Sequence, residues 1–164
     1  MDIVFRIISE NDFEFLKDML YLAIYVPEGV EPFPIEIIEN PEISKYIDNW
    51  GRKDDFGIIA IDKNVNKKVG LIWIRTFPEE IKSYGFINEE TPELSMSVIP
   101  EYRGKGIGTK MIEKLFEEIK NKYKQISLSV SKENPAKRLY ERFSFEKHCE
   151  TNDSITMLRK IKAI

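Results

Sequence analysis

Apolar and polar positions recur along this chain with two periods, and each change of period marks an element. The run IVFRII at 3–8 predicts a first strand. Ser9 follows, with Asp12 three residues on in a capping-box-like arrangement. It opens a helix carrying Phe13, Leu16, Leu20 and Ala23 at helical spacing. VPEGVEPFP at 26–34, rich in proline, predicts a loop. PEISKYIDNWG at 41–51 predicts a short helix, with Pro41 near its start and Gly51 past its end. FGIIAID at 56–62 and KVGLIWIRTF at 68–77 predict an antiparallel hairpin across a polar link.

A glycine-bearing loop, roughly 78–92, leads into ELSMSV at 93–98. There Leu94, Met96 and Val98 alternate with Glu93, Ser95 and Ser97. The period then lengthens: Ile107, Met111, Ile112, Leu115, Phe116 and Ile119 mark a long amphipathic helix. QISLSVS at 125–131 alternates again, NPAKRLYERF at 134–143 predicts a short helix with Pro135 in its first turn, and ITMLRKI at 155–161 closes as a strand. Residues 93–131 have the length of a strand–helix–strand crossover, which requires a parallel pair. The expectation is a mixed α/β sheet in one domain spanning 1–164.

Composition narrows the function classes. At 164 residues and 42% hydrophobic, the chain has enough material for a core without disulfides or metal staples. Charged residues reach 32%, yet the net charge is only −3, so no global field points to nucleic acid or to an anionic membrane. The longest apolar run, MLYLAIYV, is too short to span a bilayer. The acid at position 2 and the charges that follow are unlike a signal peptide. Cys149 is the single cysteine and His148 the single histidine. An internal disulfide and a four-ligand zinc site are therefore excluded, and a reducing, cytoplasmic setting is expected.

The candidate chemistry lies in PEYRGKGIGTKMI at 100–112. A glycine-rich turn that opens a helix is an anion site: the first-turn N–H groups have no partner inside the helix, and the helix dipole is positive there. Arg103 and Lys105 add charge beside it, which suits a pyrophosphate. The spacing is not that of a P-loop. The GKGIG of 104–108 also departs from the dinucleotide fingerprint, its third glycine coming one residue early with Thr109 behind it. The plain alternative is a helix start with incidental glycines.

Together with NPAKRLYERFSF at 134–145, this stretch resembles the GNAT superfamily of acetyl-CoA-dependent N-acetyltransferases. The matching pieces are Arg103 to Gly108 and Asn134 to Phe145. The resemblance implies a mixed, mainly antiparallel central sheet with a splayed parallel strand pair, flanked by about four helices. Acetyl-CoA, as co-substrate and without a metal, would lie between the strands at 93–98 and 125–131. It would be held by the N–H groups of Arg103, Gly104, Lys105, Gly106, Ile107, Gly108 and Thr109, by β-pairing near Val98 and Ile99, and by Asn134 and Lys137. Val98 N–H would polarise the acyl carbonyl. Tyr140 would serve as general acid to the departing thiolate, with a core aromatic as its ordinary alternative. Glu93 is the candidate base, directly or through water, with a surface carboxylate as the alternative. Trp73, Arg75 and the loops at 26–34 and 78–92 are expected to meet the acceptor, a small-molecule or peptide amine, in a monomer or homodimer. An acyl-CoA-binding module without turnover and a nucleotide-binding protein are the competing readings. One departure stands out: Ser144 occupies a position where the family usually has glycine, at a cost of about 1–2 kcal/mol if the backbone is left-handed there.

Overall fold

The computed structural model describes residues 1–161. Seven strands form one sheet: β1 (Ile3–Ile7), β2 (Phe56–Asp62), β3 (Lys67–Arg75), β4 (Glu93–Val98), β5 (Gln125–Ser131), β6 (Glu146–Glu150) and β7 (Ser154–Lys160). They lie in the order β1-β2-β3-β4-β5-β7-β6, antiparallel throughout except for the parallel pair β4–β5. The helices are α1 (Phe13–Ala23), α2 (Pro41–Ser44), α3 (Ile107–Ile119) and α4 (Ala136–Arg142).

Strand periodicity decides which helix covers which face. Ile58, Ala60, Ile72 and Ile74 share a core with Met111, Ile112 and Leu115 of α3 and with Tyr140 of α4. Their neighbours Ile59, Leu71 and Trp73 point the other way, onto Leu16, Met19 and Leu20 of α1 and onto Tyr46 and Ile47. β2 and β3 are thus buried on both faces, which is why they read as continuous apolar runs. Ser9 caps a 3-10 turn at Glu10–Asp12 that leads into α1, and does not cap α1 itself: the Asp12 carboxylate accepts from the Ser9 N–H at 2.8 Å and from its hydroxyl at 3.1 Å.

The structure differs from the periodicity in two places. Helix α2 stops at Ser44 instead of running to about 50. The Arg75 guanidinium takes the carbonyls of Lys45 and Asp48, and Asn49 turns left-handed at φ 54°, so the helical ladder cannot continue. Strand β6 carries no predictive pattern because it is the sheet edge: all five residues are exposed and charged or polar, a common defence against edge pairing. His148 and Cys149 lie there.

Ser144 is left-handed at φ 67° and closes a Schellman end to α4. Its N–H donates to Glu141 O at 3.0 Å, and the Phe145 N–H donates to Tyr140 O at 3.1 Å. The turn also lays Phe145 edge-on against the Tyr140 ring, with centroids 5.9 Å apart. Ser144→Gly is expected to raise stability by about 1 kcal/mol, seen as a melting temperature about 2–4 °C higher. A lower melting temperature would mean that the serine side chain contributes more than its backbone costs.

Candidate active site

β4 and β5 meet at one point. Glu93 pairs with Ser127, whose N–H donates to Pro92 O at 3.0 Å, and beyond that vertex the two strands part. Each is fully paired on its other side, β4 with Gly70–Arg75 of β3 and β5 with Ser154–Lys160 of β7. The sheet therefore holds a wedge-shaped gap with backbone groups along both arms. The Ile99 N–H is given to Val69 O at 2.9 Å, on the β3 side. Backbone groups alternate sides along a strand, so the N–H groups of Val98 and Met96 face the gap. The Ile99 carbonyl also accepts the Tyr102 N–H at 3.0 Å. Met96 went unnoticed in the sequence, although it shares the parity of Val98.

At the open end of the gap sits the start of α3. Gly104 and Gly106 are left-handed at φ 74° and 82°, and a Cβ at either would point into open space. Gly106 is the N-cap residue, and the first helical donor is Lys110 N–H, to Gly106 O at 3.2 Å. The N–H groups of Ile107, Gly108 and Thr109 are therefore free of the helix ladder. Gly108 has a different task. A Cβ there would lie 3.3 Å from Leu139 and 3.4 Å from Met96, so its bareness lets α3 settle against α4 and β4. Arg103 folds back, its Nε donating to Val98 O at 3.0 Å, and Lys105 Nζ lies 5.9 Å above the Tyr102 ring. A cradle of free N–H groups on a bare backbone, flanked by two cations, fits a pyrophosphate.

The sequence-predicted residues of α4 come to the same side of the sheet. Asn134 Oδ1 accepts from the Ala136 N–H at 2.9 Å and so caps the helix. Lys137 and Arg138 line a shallow cleft with Lys132, Asn134 and Glu141. Tyr140 is 8% exposed, and burial pushes its phenol up to about 12.

Glu93 lies at the vertex on the opposite face, shared with α1. It is buried, at 3% exposure, and is no surface carboxylate. Burial raises its carboxyl above the ordinary range, against donors from Tyr46, Ser83 and the Gly85 N–H. Trp73 and Arg75, expected near the acceptor, are instead fully enclosed. The Trp73 indole donates to Tyr46 O at 3.2 Å. Arg75 makes a two-pronged bridge to Asp55 at 2.9 and 2.7 Å beneath the Trp50 ring. No sequence pattern marks that pair, because its members are twenty residues apart with nothing to link them. Among the described residues no group of three or more His, Cys, Asp or Glu gathers as a metal site, and no helix is long and apolar enough to cross a membrane.

Known proteins share this architecture. An N-acetyltransferase of Staphylococcus aureus Mu50 superposes with a TM-score of 0.70 at 17% identity, over 99% of this chain and 100% of that one. The PaiA N-acetyltransferase of Thermoplasma acidophilum, solved in complex with coenzyme A, gives 0.65 at 20% identity, over 98% and 99%. The spermidine/spermine N-acetyltransferase SpeG of Vibrio cholerae gives 0.58 at 22%, over 96% and 92%. No curated protein matches the chain. The model of the acetyltransferase (GNAT) domain matches residues 53–147, more than half of the sequence and the whole stretch from β2 through the glycine turn to α4. The chain belongs to the GNAT acetyltransferase family.

Proposed function

We propose that the protein is an N-acetyltransferase that moves an acetyl group from acetyl-CoA to a primary amine by direct attack, both reactants being bound at once. The observation that carries this reading is the gap between β4 and β5 with the free N–H cradle of α3 at its mouth. A thioester with a long amide-bearing arm and a pyrophosphate matches both parts. The N–H groups of Gly104 to Thr109 hold the diphosphate, with Arg103 and Lys105 beside it. Val98 and Met96 offer N–H groups to the arm and to the acyl carbonyl, where they stabilise the negative charge that develops on attack. Asn134 orders the end of β5, and Lys137 lines the cleft beyond it. Acetyl-CoA supplies an acyl group that is already activated, so the chain's own task is orientation and proton transfer. Tyr140 is the proton donor to sulfur, and Glu93 is the acceptor of the amine's proton. Acids outnumber bases over residues 18–44, from Asp18 to Glu42, which favours a cationic amine. Coenzyme A in the PaiA neighbour supports the choice of donor.

The test is calorimetric titration of acetyl-CoA into the parent and into Gly106→Val. The parent is expected to bind. The variant is expected to bind at least about tenfold more weakly, a loss of about 1.4 kcal/mol. Valine is strained by about 1–2 kcal/mol at a positive φ and puts its methyls into the space a phosphate would take. Since an added Cβ there meets no protein atom within 4 Å, a clash inside the free protein is no explanation for such a loss. Undiminished affinity in the variant would refute the cradle, and absence of binding to the parent would refute the donor. ATP in the same experiment separates this reading from a nucleotide-binding protein. Release of free thiol in the presence of amines separates it from a binding module without turnover.

A further inference from the structure

On its α1-facing side β4 carries three polar side chains in a row, Glu93, Ser95 and Ser97, spaced about 6.6 Å apart along the strand. Two of them are sealed. Ser97, 7% exposed, donates its hydroxyl to Met19 O of α1 at 2.7 Å. Glu93 is roofed by residues 83–86 of the β3–β4 connection, which cross the sheet at this point. The Ser83 hydroxyl donates to Glu93 Oε1 at 2.8 Å, and Ser127 and Thr156 donate to Gly85 O at 2.7 Å and to Tyr84 O at 3.4 Å. The roof sits close: a Cβ on Gly85 would come within 2.5 Å of Glu93 Oε1. Ser95 lies between the two covers and keeps part of its surface open. The other face of β4 is closed by α3 and α4, as the contacts around Gly108 show.

Distances along the strand raise a difficulty for Glu93 acting alone. Met96 is three residues from it, about 10 Å, and Val98 five residues, about 16 Å. A glutamate side chain, built of bonds of about 1.5 Å, reaches only about 5 Å from its Cα. An amine attacking an acyl group held at either N–H lies beyond that reach. Ser95 adjoins Met96 and shares the face of Glu93.

We infer that the window over Ser95 is the entrance of the acceptor amine, and that the Ser95 hydroxyl passes the amine's proton to Glu93. The inference rests on the transferase reading given above. The protons balance as follows. A cationic acceptor loses one proton to Ser95 while Ser95 gives its own to the Glu93 carboxylate, directly or across one water. The neutral nitrogen then bonds to the acyl carbon as the carbon–sulfur bond breaks. The sulfur takes the proton of Tyr140, and the nitrogen's second proton replaces it. A carboxyl raised by burial is the stronger base for the first step. The groups around it are Tyr46, Lys45 and Tyr84, with Ser83 and the Gly85 N–H. Lys45 Nζ, bonded to Lys82 O at 2.5 Å, places a positive charge near enough to favour the carboxylate.

The experiment measures thiol release from acetyl-CoA with spermidine, glycinamide and glucosamine as acceptors, in the parent, Ser95→Ala, Ser95→Thr, Glu93→Gln and the double variant Ser95→Ala/Glu93→Gln. Ser95→Ala and Glu93→Gln are each expected to lower kcat about 10- to 100-fold. KM for acetyl-CoA should stay within about twofold, and the double variant should be no slower than the slower single one, because the two groups act in series. Threonine should restore most of the rate. In Glu93→Gln the acid-side fall should follow the ionisation of the free amine instead of the carboxyl, so that limb moves to higher pH. Calorimetric binding of acetyl-CoA monitors the fold of each variant, and if Glu93→Gln does not fold, the Ser95 pair decides alone. A Ser95→Ala enzyme at the parent's rate, losses that multiply, or a threonine variant as slow as alanine would each overturn the relay and leave the transferase intact. No release by the parent with any of the three amines would overturn both.

Discussion

Tyr140→Phe is expected to lower turnover by about 100-fold or more, in line with the loss of a general acid, while the affinity for acetyl-CoA stays unchanged. The split is the informative part. Phenylalanine keeps the ring that packs edge-on against Phe145 and fills the same core between α4 and the sheet, so fold and cofactor site are preserved. Only the hydroxyl proton is lost. With its phenol at about 12, Tyr140 is fully protonated through the neutral range and is always loaded as a donor. It is also a weaker acid than a solvent-exposed tyrosine, each unit corresponding to about 1.4 kcal/mol against transfer. Transfer of its proton to a departing thiolate is therefore uphill and depends on close alignment. Thiol release against calorimetric titration gives both numbers. Turnover within about twofold of the parent would return Tyr140 to the role of a core aromatic, since a general acid contributes far more than that.

The second large effect concerns stability. Asp55→Ala is expected to cost about 3–5 kcal/mol, the range for removing one partner of a buried ion pair. Arg75 is 1% exposed and brings a guanidinium charge into the interior. Without Asp55 its guanidinium keeps the carbonyls of Lys45 and Asp48 and the Trp50 ring, which offset only part of the charge. Asp55 also accepts the N–H groups of Gly51 and Arg52, each at 2.9 Å, so the turn before β2 loosens as well. Denaturant unfolding checks this, and the double variant Asp55→Ala/Arg75→Met should be more stable than the single one, because the stranded charge is gone. A double variant no better than Asp55→Ala would place the cost in the turn and not in the charge.

These two residues mark what the sequence could and could not disclose. The segment around Tyr140 was legible because its contacts are local: Asn134 caps, Ser144 turns, and Phe145 packs within one short stretch. The glycine turn was legible for the same reason. Its positive φ angles and free N–H groups are properties of consecutive residues. Arg75 read as a strand-end charge near the acceptor, and its burial depends on Asp55, Lys45 and Asp48, which only the folded sheet brings together. The face on which Glu93 lies was legible by parity, and its burial was not. Nothing in the pattern announces that residues 83–86 fold over it, because the seat is made by a bare Cα, the hydroxyl of Ser83 in the connection itself, and hydroxyls from two other strands. β6 escaped for the converse reason: an edge needs no apolar face, so it writes no period into the chain.

The single Glu93–Ser127 contact between β4 and β5 has one more consequence. In most sheets a long guest would have to break the ladder before entering it. Here the ladder was never closed, so a threading chain takes up backbone donors that have no prior engagement and gives back the pairing the strands lack. The guest mends a seam in its host, and holding it should cost the protein little reorganisation.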